Sequence, residues 1–312
     1  MREKSRLIEG ITLRDIGRRG VDRLYRAVSD LAAGTPTLSA ADSLYRATKR
    51  GGNVIVTSGF TILTSDRCET DGPLGSIVLG KLIGKMGAHL ILLTDPDYLD
   101  LFEAICISAG LTSFQCLGFP IEHDQAKVET TKIFDEFSPV AIIAIERPGW
   151  NRKFVYHNML GQDISSKTAK VDYIFNHAQL SRTLTIGIGD GGNEIGMGNI
   201  AGTINEHVPF GSVCRCPCRG GIASITKVDH LIVSSVSNWG GYGLAAILAR
   251  LANVPFEHTP NDERRLIKAA VKAGAVDGVT GKSIPAVDGV DMDGNAEVVR
   301  RILMVMYGHG SW

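Results

Sequence analysis

The sequence predicts an α/β fold in three layers, with a mostly parallel sheet covered by helices on both faces. Six short apolar runs alternate with segments of helical spacing, and the runs are almost wholly apolar, as strands buried on both faces are. The predicted strands are residues 54–56, 90–93, 114–117, 140–145, 184–188 and 231–233. The predicted helices lie near residues 74–87, 97–109, 124–137, 241–252, 261–273 and 294–307.

The first 50 residues are expected to form a helical cover rather than strands. Apolar residues between positions 8 and 33, Ile8, Ile11 and Ile16 among them, recur every three to five positions. Residues 150–182 and 199–229 are less regular and are expected to contribute loops or a cap. A chain of 312 residues is long enough to bury a large core, and we expect one domain over residues 1–312.

Charge and hydropathy exclude several classes of protein. The 33 basic and 33 acidic residues balance, so no net field attracts nucleic acid or an anionic membrane. No apolar run reaches the roughly 18 residues of a spanning helix, and the first 26 residues lack the apolar segment of a signal peptide. We expect a cytoplasmic protein with a small-molecule substrate, and a homo-oligomer is compatible with the sequence.

Two acids follow the first strand, at the start of a predicted helix. Glu69 and Asp71 could hold a hard cation, with Mg or Mn as the candidates, or orient a substrate ammonium. Asp71 could instead cap the helix that begins beside it. Both roles stay open for Asp71 at this point.

An acid and a guanidinium leave the fourth strand together, as Glu146 and Arg147. Arginine binds carboxylates through two parallel hydrogen bonds, so Arg147 is a candidate substrate ligand, and Glu146 is a candidate base. A local ion pair between the two is the alternative.

The segment Gly187–Gly198 holds six glycines in twelve residues and follows an apolar strand. Glycine permits tight turns and close approach of backbone N–H groups to an anion, while Asp190 and Glu194 offer catalytic carboxylates. Asp190 is also a candidate metal ligand, together with Glu69 and Asp71. Asp190 could also shape an Asx turn. A Gly-x-Gly-x-x-Gly pattern is present, but it comes late in the chain and is itself acidic, so we expect no nucleotide cofactor. The candidate substrate-binding residues of the segment are Gly191, Gly192 and Asn193.

Two later segments complete the expected pocket. Ser237 and Asn238 follow the sixth strand, where they could cap the next helix, bind substrate, or do both. The turn 278–280 ends in Thr280, which we expect to form another wall of the pocket.

Three of six cysteines are crowded into Cys214, Cys216 and Cys218. Zinc sites usually combine two separated ligand pairs, and no second pair follows this one. We interpret the segment as a reduced loop, with a soft-metal or redox role as the alternative.

Four motifs together resemble the D-glutamate cyclase C-terminal domain family: Glu69–Pro73, Glu146–Arg147, Gly187–Gly198 and Val236–Tyr242. The similarity runs from about Ile8 to the end, although residues 214–221 depart from the family pattern. The resemblance implies a lyase that converts D-glutamate to 5-oxo-D-proline and water. A divalent-metal-dependent phosphatase is the alternative enzyme, and a ligand-binding protein without turnover is a third reading.

Overall fold

The apolar runs form the strands of one parallel sheet in the computed structural model, which describes residues 1–14, 20–32 and 34–308. Two pairs of two-residue strands lie outside this sheet. In chain order the strands are β1 (Asn53–Thr57), β2 (Thr61–Ile62), β3 (Arg67–Cys68), β4 (His89–Thr94), β5 (Gln115–Gly118), β6 (Ala141–Ile145), β7 (Leu184–Gly189), β8 (His230–Val233), β9 (Ala286–Val287) and β10 (Val290–Asp291). The six predicted strands are β1, β4, β5, β6, β7 and β8.

Helices cover both faces of the sheet. They are α1 (Arg2–Thr12), α2 (Val21–Leu31), α3 (Pro36–Thr48), α4 (Pro73–Lys85), α5 (Leu99–Ala109), α6 (His123–Phe137), α7 (Asp172–Ser181), α8 (Ala201–His207), α9 (Ser237–Ala252), α10 (Pro260–Lys272) and α11 (Met292–Tyr307). Side chains alternate along a strand, so Val54 and Val56 pack with α4 and α9, whereas Ile55 packs in the opposite core with α6 and α7. The predicted three-layer fold is confirmed.

Two expectations about irregular segments need correction. Residues 150–182 contain α7, and residues 199–229 contain α8, so both segments add helices to the layer that covers Ile55. The helical cover at the N-terminus consists of α1, α2 and α3, and Ile16 lies outside the described residues. In the described part of the chain, no helix combines the length and apolar character that crossing a membrane requires.

The order of the strands determines where a ligand crevice opens. The sheet runs β5-β4-β1-β6-β7-β8, so the chain starts in the middle, fills one edge and then crosses to fill the other. This is the order of a doubly wound, Rossmann-type sheet, in which ligands bind beyond the carboxyl ends of the strands where the order reverses. Here that point lies between β1 and β6, and Glu146 is the first residue after β6.

Candidate active site

An acidic cavity of about 390 Å³ opens at this edge of the sheet. Residues that follow β1, β6 and β7 line it, together with the segments 158–160 and 278–281. No lysine, arginine or histidine is among the lining residues of the described chain. The lining carboxylates are Glu69, Glu146, Asp190 and Asp288. The cavity therefore favours cations and repels anions.

Three buried carboxylates meet at the floor of the cavity. Asp71, Glu146 and Asp190 each place an oxygen within 4.8 Å of the others. Burial, followed by repulsion from Asp190, raises the pKa of Glu146 well above its ordinary value. Burial, followed by repulsion from Asp288, raises the pKa of Asp71 to about 8. Such a group needs protons or a bound cation to balance its charge.

The backbone of Glu146 has an unusual conformation that places its side chain at this floor. Its φ of 45° lies in the left-handed region, which non-glycine residues seldom adopt. The backbone N–H continues the sheet by donating to the carbonyl of Ile188 at 3.0 Å, and the Ser237 hydroxyl donates to Oε2 at 2.5 Å. Residues held in such conformations cluster at functional sites. Ser237 therefore orients a site carboxylate.

Two helices cap one another beneath the cavity. The Asp71 carboxylate accepts the backbone N–H groups of Ser237 and Asn238, the first residues of α9, at 2.8 and 2.7 Å. In return, Oδ1 of Asn238 accepts the N–H groups of Gly72 and Gly75, at the start of α4, at 2.9 and 2.7 Å. Asp71 thus caps α9 rather than α4, the helix that follows it in sequence. The side-chain oxygen of Asn238 accepts two hydrogen bonds and has no capacity left for a substrate.

Two glycines permit this arrangement because they let α4 and α9 approach closely. A Cβ atom on Gly75 would lie 3.0 Å from Cα of Asn238, and one on Gly241 would lie 3.1 Å from Cα of Gly75. Both separations are tighter than side chains ordinarily tolerate. The glycines of the two motifs therefore serve helix packing, which in turn positions Asp71.

We expect Asn238→Ala to lower the free energy of unfolding by about 2 kcal/mol, because two buried N–H groups lose their acceptor. The measurement is urea denaturation. The control is Asn205→Ala, which changes an exposed asparagine on α8 and should leave stability unchanged. Native stability would contradict this structural role and would leave Asn238 as a candidate substrate ligand.

The backbone of the glycine-rich loop folds around the carboxylate of Glu194, which belongs to the same loop. Oε1 of Glu194 accepts the N–H groups of Asp190 and Gly191 at 3.1 and 2.6 Å, and Oε2 accepts that of Gly192 at 2.7 Å. The amides proposed as substrate ligands therefore point at Glu194, which shapes the loop. Asn193 is buried outside the cavity lining, and its side-chain amide donates to the carbonyl of His157 at 2.7 Å.

Arg147 lies away from the cavity, in a fully buried network. Its guanidinium forms an ion pair with Asp95 through both terminal nitrogens and donates to the carbonyls of Gly59 and Ala169 at 2.9 and 3.0 Å. Its partner is therefore Asp95 and not the neighbouring Glu146. Because these contacts occupy both terminal nitrogens and the side chain is buried outside the cavity lining, the placement argues against Arg147 as a substrate ligand, and we assign it a structural role.

The cavity wall contains a second acidic pair beside Gly278. A Cβ atom on Gly278 would lie 2.1 Å from Oε2 of Glu69 and 3.0 Å from Oδ1 of Asp288. Asp277 fixes this wall, since its carboxylate accepts the N–H groups of Thr280 and Gly289 at 2.9 and 2.6 Å. Asp277 and Asp288 were not among the predicted site residues. The signal for them in the sequence is that a glycine follows each aspartate, as is typical of a turn.

The structure thus gathers part of the predicted site. Among the described residues, the carboxylates close enough to share a cation are Asp71, Glu146 and Asp190, so Glu146 replaces Glu69 in the predicted ligand set. Thr280 and Glu69 line the cavity, as expected for pocket residues. Asp71 lies just below the lining, with a carboxylate oxygen within 4.8 Å of oxygens of Glu146 and Asp190. The other predicted residues outside the cavity lining are Arg147, Gly191, Gly192, Asn193, Glu194, Ser237 and Asn238.

The raised pKa values predict that metal-free protein loses stability as the pH rises. Between pH 3.8, the ordinary pKa of an aspartate, and about 8, folded Asp71 keeps a proton that the unfolded chain releases, so rising pH favours unfolding. In chelator, the melting temperature should fall from about pH 5 to about pH 8. Mn²⁺ should restore it most at the higher pH, because cation ligands must be deprotonated. Glu146→Gln should flatten the profile, and a wild-type melting temperature that rises over this range would contradict the prediction.

A comparison with known proteins decides the family. A family model described as D-glutamate cyclase-like, C-terminal, matches residues 8–303. The chain belongs to this family. The human protein named D-glutamate cyclase, mitochondrial, is 28% identical over 240 residues, which cover 73% of this chain. Those residues cover 37% of the human protein, so this D-glutamate cyclase-like chain spans well under half of that relative's length. The resemblance inferred from the four motifs is confirmed.

Proposed function

We propose that the chain is a lyase that cyclises D-glutamate to 5-oxo-D-proline with release of water. The observation that carries the proposal is the buried group of Asp71, Glu146 and Asp190 at the floor of an acidic cavity, in a chain of the D-glutamate cyclase-like family. The human relative's name supports the reaction at the level of the family.

The charge of the substrate requires a cation in this cavity. D-Glutamate carries two carboxylates, and the lining residues of the described chain offer no basic side chain to receive them. The three floor carboxylates are hard oxygen ligands of the kind that Mg²⁺ and Mn²⁺ prefer, and burial together with repulsion between carboxylates raises the pKa values of Glu146 and Asp71. The residues therefore fit a divalent cation, which would supply Lewis acidity for the γ-carboxyl group.

Ring closure must move two protons from nitrogen to oxygen. The amine forms a bond to the γ-carbon, a carbon–oxygen bond breaks, and the departing oxygen leaves as water with both protons that the ammonium gives up. Glu69 and Asp288 lie on the cavity wall, where carboxylates can attract the ammonium, accept its proton and return it to the leaving oxygen. In this proposal the three floor carboxylates bind the cation that balances the substrate's charge, and the two wall carboxylates transfer the protons.

Product formation tests the proposal directly. The purified chain is incubated with D-glutamate and Mg²⁺ or Mn²⁺, and 5-oxoproline is followed by mass spectrometry against a boiled sample. We expect product with either cation and none in EDTA. The L-enantiomer, assayed in parallel, reports the stereochemical preference. Absence of product above the boiled control with both cations would rule out the proposal.

Neither alternative reading is favoured by the family match. A phosphatase would have to admit a phosphoryl dianion into the same acidic cavity, and the loop amides that could cradle it are bound to Glu194. A panel of phosphate esters distinguishes this activity from cyclisation. Binding of D-glutamate without conversion would instead favour a ligand-binding protein.

A further inference from the structure

A second group of metal-ligating side chains lies behind the cavity wall. His157 Nε2 is 3.1 Å from the Cys216 sulfur and 3.6 Å from that of Cys218, and the Cys214 sulfur is 3.6 and 3.3 Å from the same two sulfurs. His157, Cys214 and Cys216 are buried and Cys218 is partly buried. One imidazole nitrogen and three sulfurs therefore converge on a common centre.

The spacing of these atoms matches a tetrahedral metal site. With Zn–S of about 2.3 Å and Zn–N of about 2.0 Å, ligand atoms lie roughly 3.5–3.8 Å apart. The four separations here are 3.1–3.6 Å, within about 0.5 Å of that geometry. A disulfide would bring two sulfurs to about 2.05 Å, and all three cysteines are free. Three cysteines and one histidine form one of the common structural zinc sets.

We propose that His157, Cys214, Cys216 and Cys218 bind one Zn²⁺ ion. None of the four lines the acidic cavity, and together they complete four-coordination, so the site is closed and structural rather than catalytic. Surrounding donors suit a thiolate: the N–H of Gly220 and the side-chain amide of Asn151 point at the Cys218 sulfur at 3.3 and 3.5 Å. Hard cations such as Mg²⁺ prefer oxygen ligands, so this site and the carboxylate floor select different metals.

The zinc site would hold a wall of the active-site cavity in place. His157 directly precedes the segment 158–160, which lines the cavity, and its carbonyl accepts the Asn193 amide from the glycine-rich loop. The N–H of Arg215 donates to the Gly161 carbonyl at 2.9 Å, joining the cysteine loop to the same wall. A metal at this point would link two segments that are distant in sequence, and the His157 carbonyl joins them to the glycine-rich loop.

The metal content of the wild-type protein tests the proposal without reference to catalysis. The full chain is produced in medium containing zinc, purified without metal-affinity resin, dialysed, and analysed by inductively coupled plasma mass spectrometry. We expect about one Zn per chain. Cys216→Ser and His157→Ala should lose the zinc and melt at lower temperature, whereas Cys116→Ser, which alters a cysteine on β5, should keep it. Cobalt substitution should give the strong visible absorption of a tetrahedral thiolate site.

The zinc content of the wild-type protein tests the proposal even if a variant does not fold. Protein with six titratable thiols that retains no zinc, even after unfolding and refolding with Zn²⁺, would overturn the proposal. Iron at a stoichiometric level would overturn the assignment of the metal as zinc. The zinc measurement does not depend on catalysis. A protein without cyclase activity would overturn the proposed function but not the proposed zinc site.

Discussion

Asp190→Asn is expected to lower the rate of 5-oxoproline formation about a hundredfold or more and to leave the protein folded. Asparagine has nearly the same shape, but it removes one of three carboxylates that lie within 4.8 Å of each other at the cavity floor. A neutral amide is a weaker ligand for Mg²⁺ or Mn²⁺ than a carboxylate, and the remaining pair compensates less cation charge. Because a repelling charge is lost, the melting temperature should not fall.

The measurements are steady-state kinetics with D-glutamate over a range of Mn²⁺ concentrations, and thermal unfolding in EDTA. Asp135→Asn, which changes an exposed aspartate on α6, is the matched control and should keep wild-type turnover. Unchanged turnover in Asp190→Asn would remove Asp190 from the mechanism. An unfolded variant would show that its side chain is required for the turn instead.

Arg147→Met is expected to lower the free energy of unfolding by about 3–5 kcal/mol. The guanidinium is fully buried against Asp95, whose carboxylate also accepts the N–H of Ala169 at 2.6 Å. Methionine fills much of the volume but leaves the buried Asp95 carboxylate without its ion-pair partner. The large penalty arises from that uncompensated charge rather than from the net value of the ion pair.

A double-mutant cycle isolates this effect. Asp95→Leu combined with Arg147→Met should recover much of the lost stability, because the two charges are removed together. Arg264→Met breaks the exposed pair with Asp293 and should cost less than about 1 kcal/mol. If Arg147→Met kept full stability and raised only the KM for D-glutamate, the guanidinium would be a substrate ligand and its structural assignment would be wrong.

The sheet could be predicted from the sequence because its strands are short apolar runs separated by segments of helical period. Helix α7 could not, because it is only ten residues long and its buried apolar residues Ile174, Phe175 and Ala178 span little more than one turn. So short a pattern does not establish a helical period.

The site was predictable only as far as its ligands lie at strand ends. Glu146 and Asp190 follow β6 and β7, so the parallel sheet brings them together. Partners that depend on tertiary contacts were not predictable: Asp95 precedes Arg147 by 52 positions, and His157 precedes Cys216 by 59. The hydrogen bonds from the loop amides to Glu194 depend on where the Glu194 side chain points, and the spacing of residues in the sequence does not specify that direction.

The proposed role of a cation is tested most directly by the binding of D-glutamate with and without a divalent cation, measured by isothermal titration calorimetry at neutral pH. We expect binding in Mn²⁺, none in EDTA, and weakened binding in Asp190→Asn even with Mn²⁺, because the acidic cavity offers no basic side chain among the residues that line it. Equally tight binding in EDTA would contradict the role assigned to Asp71, Glu146 and Asp190.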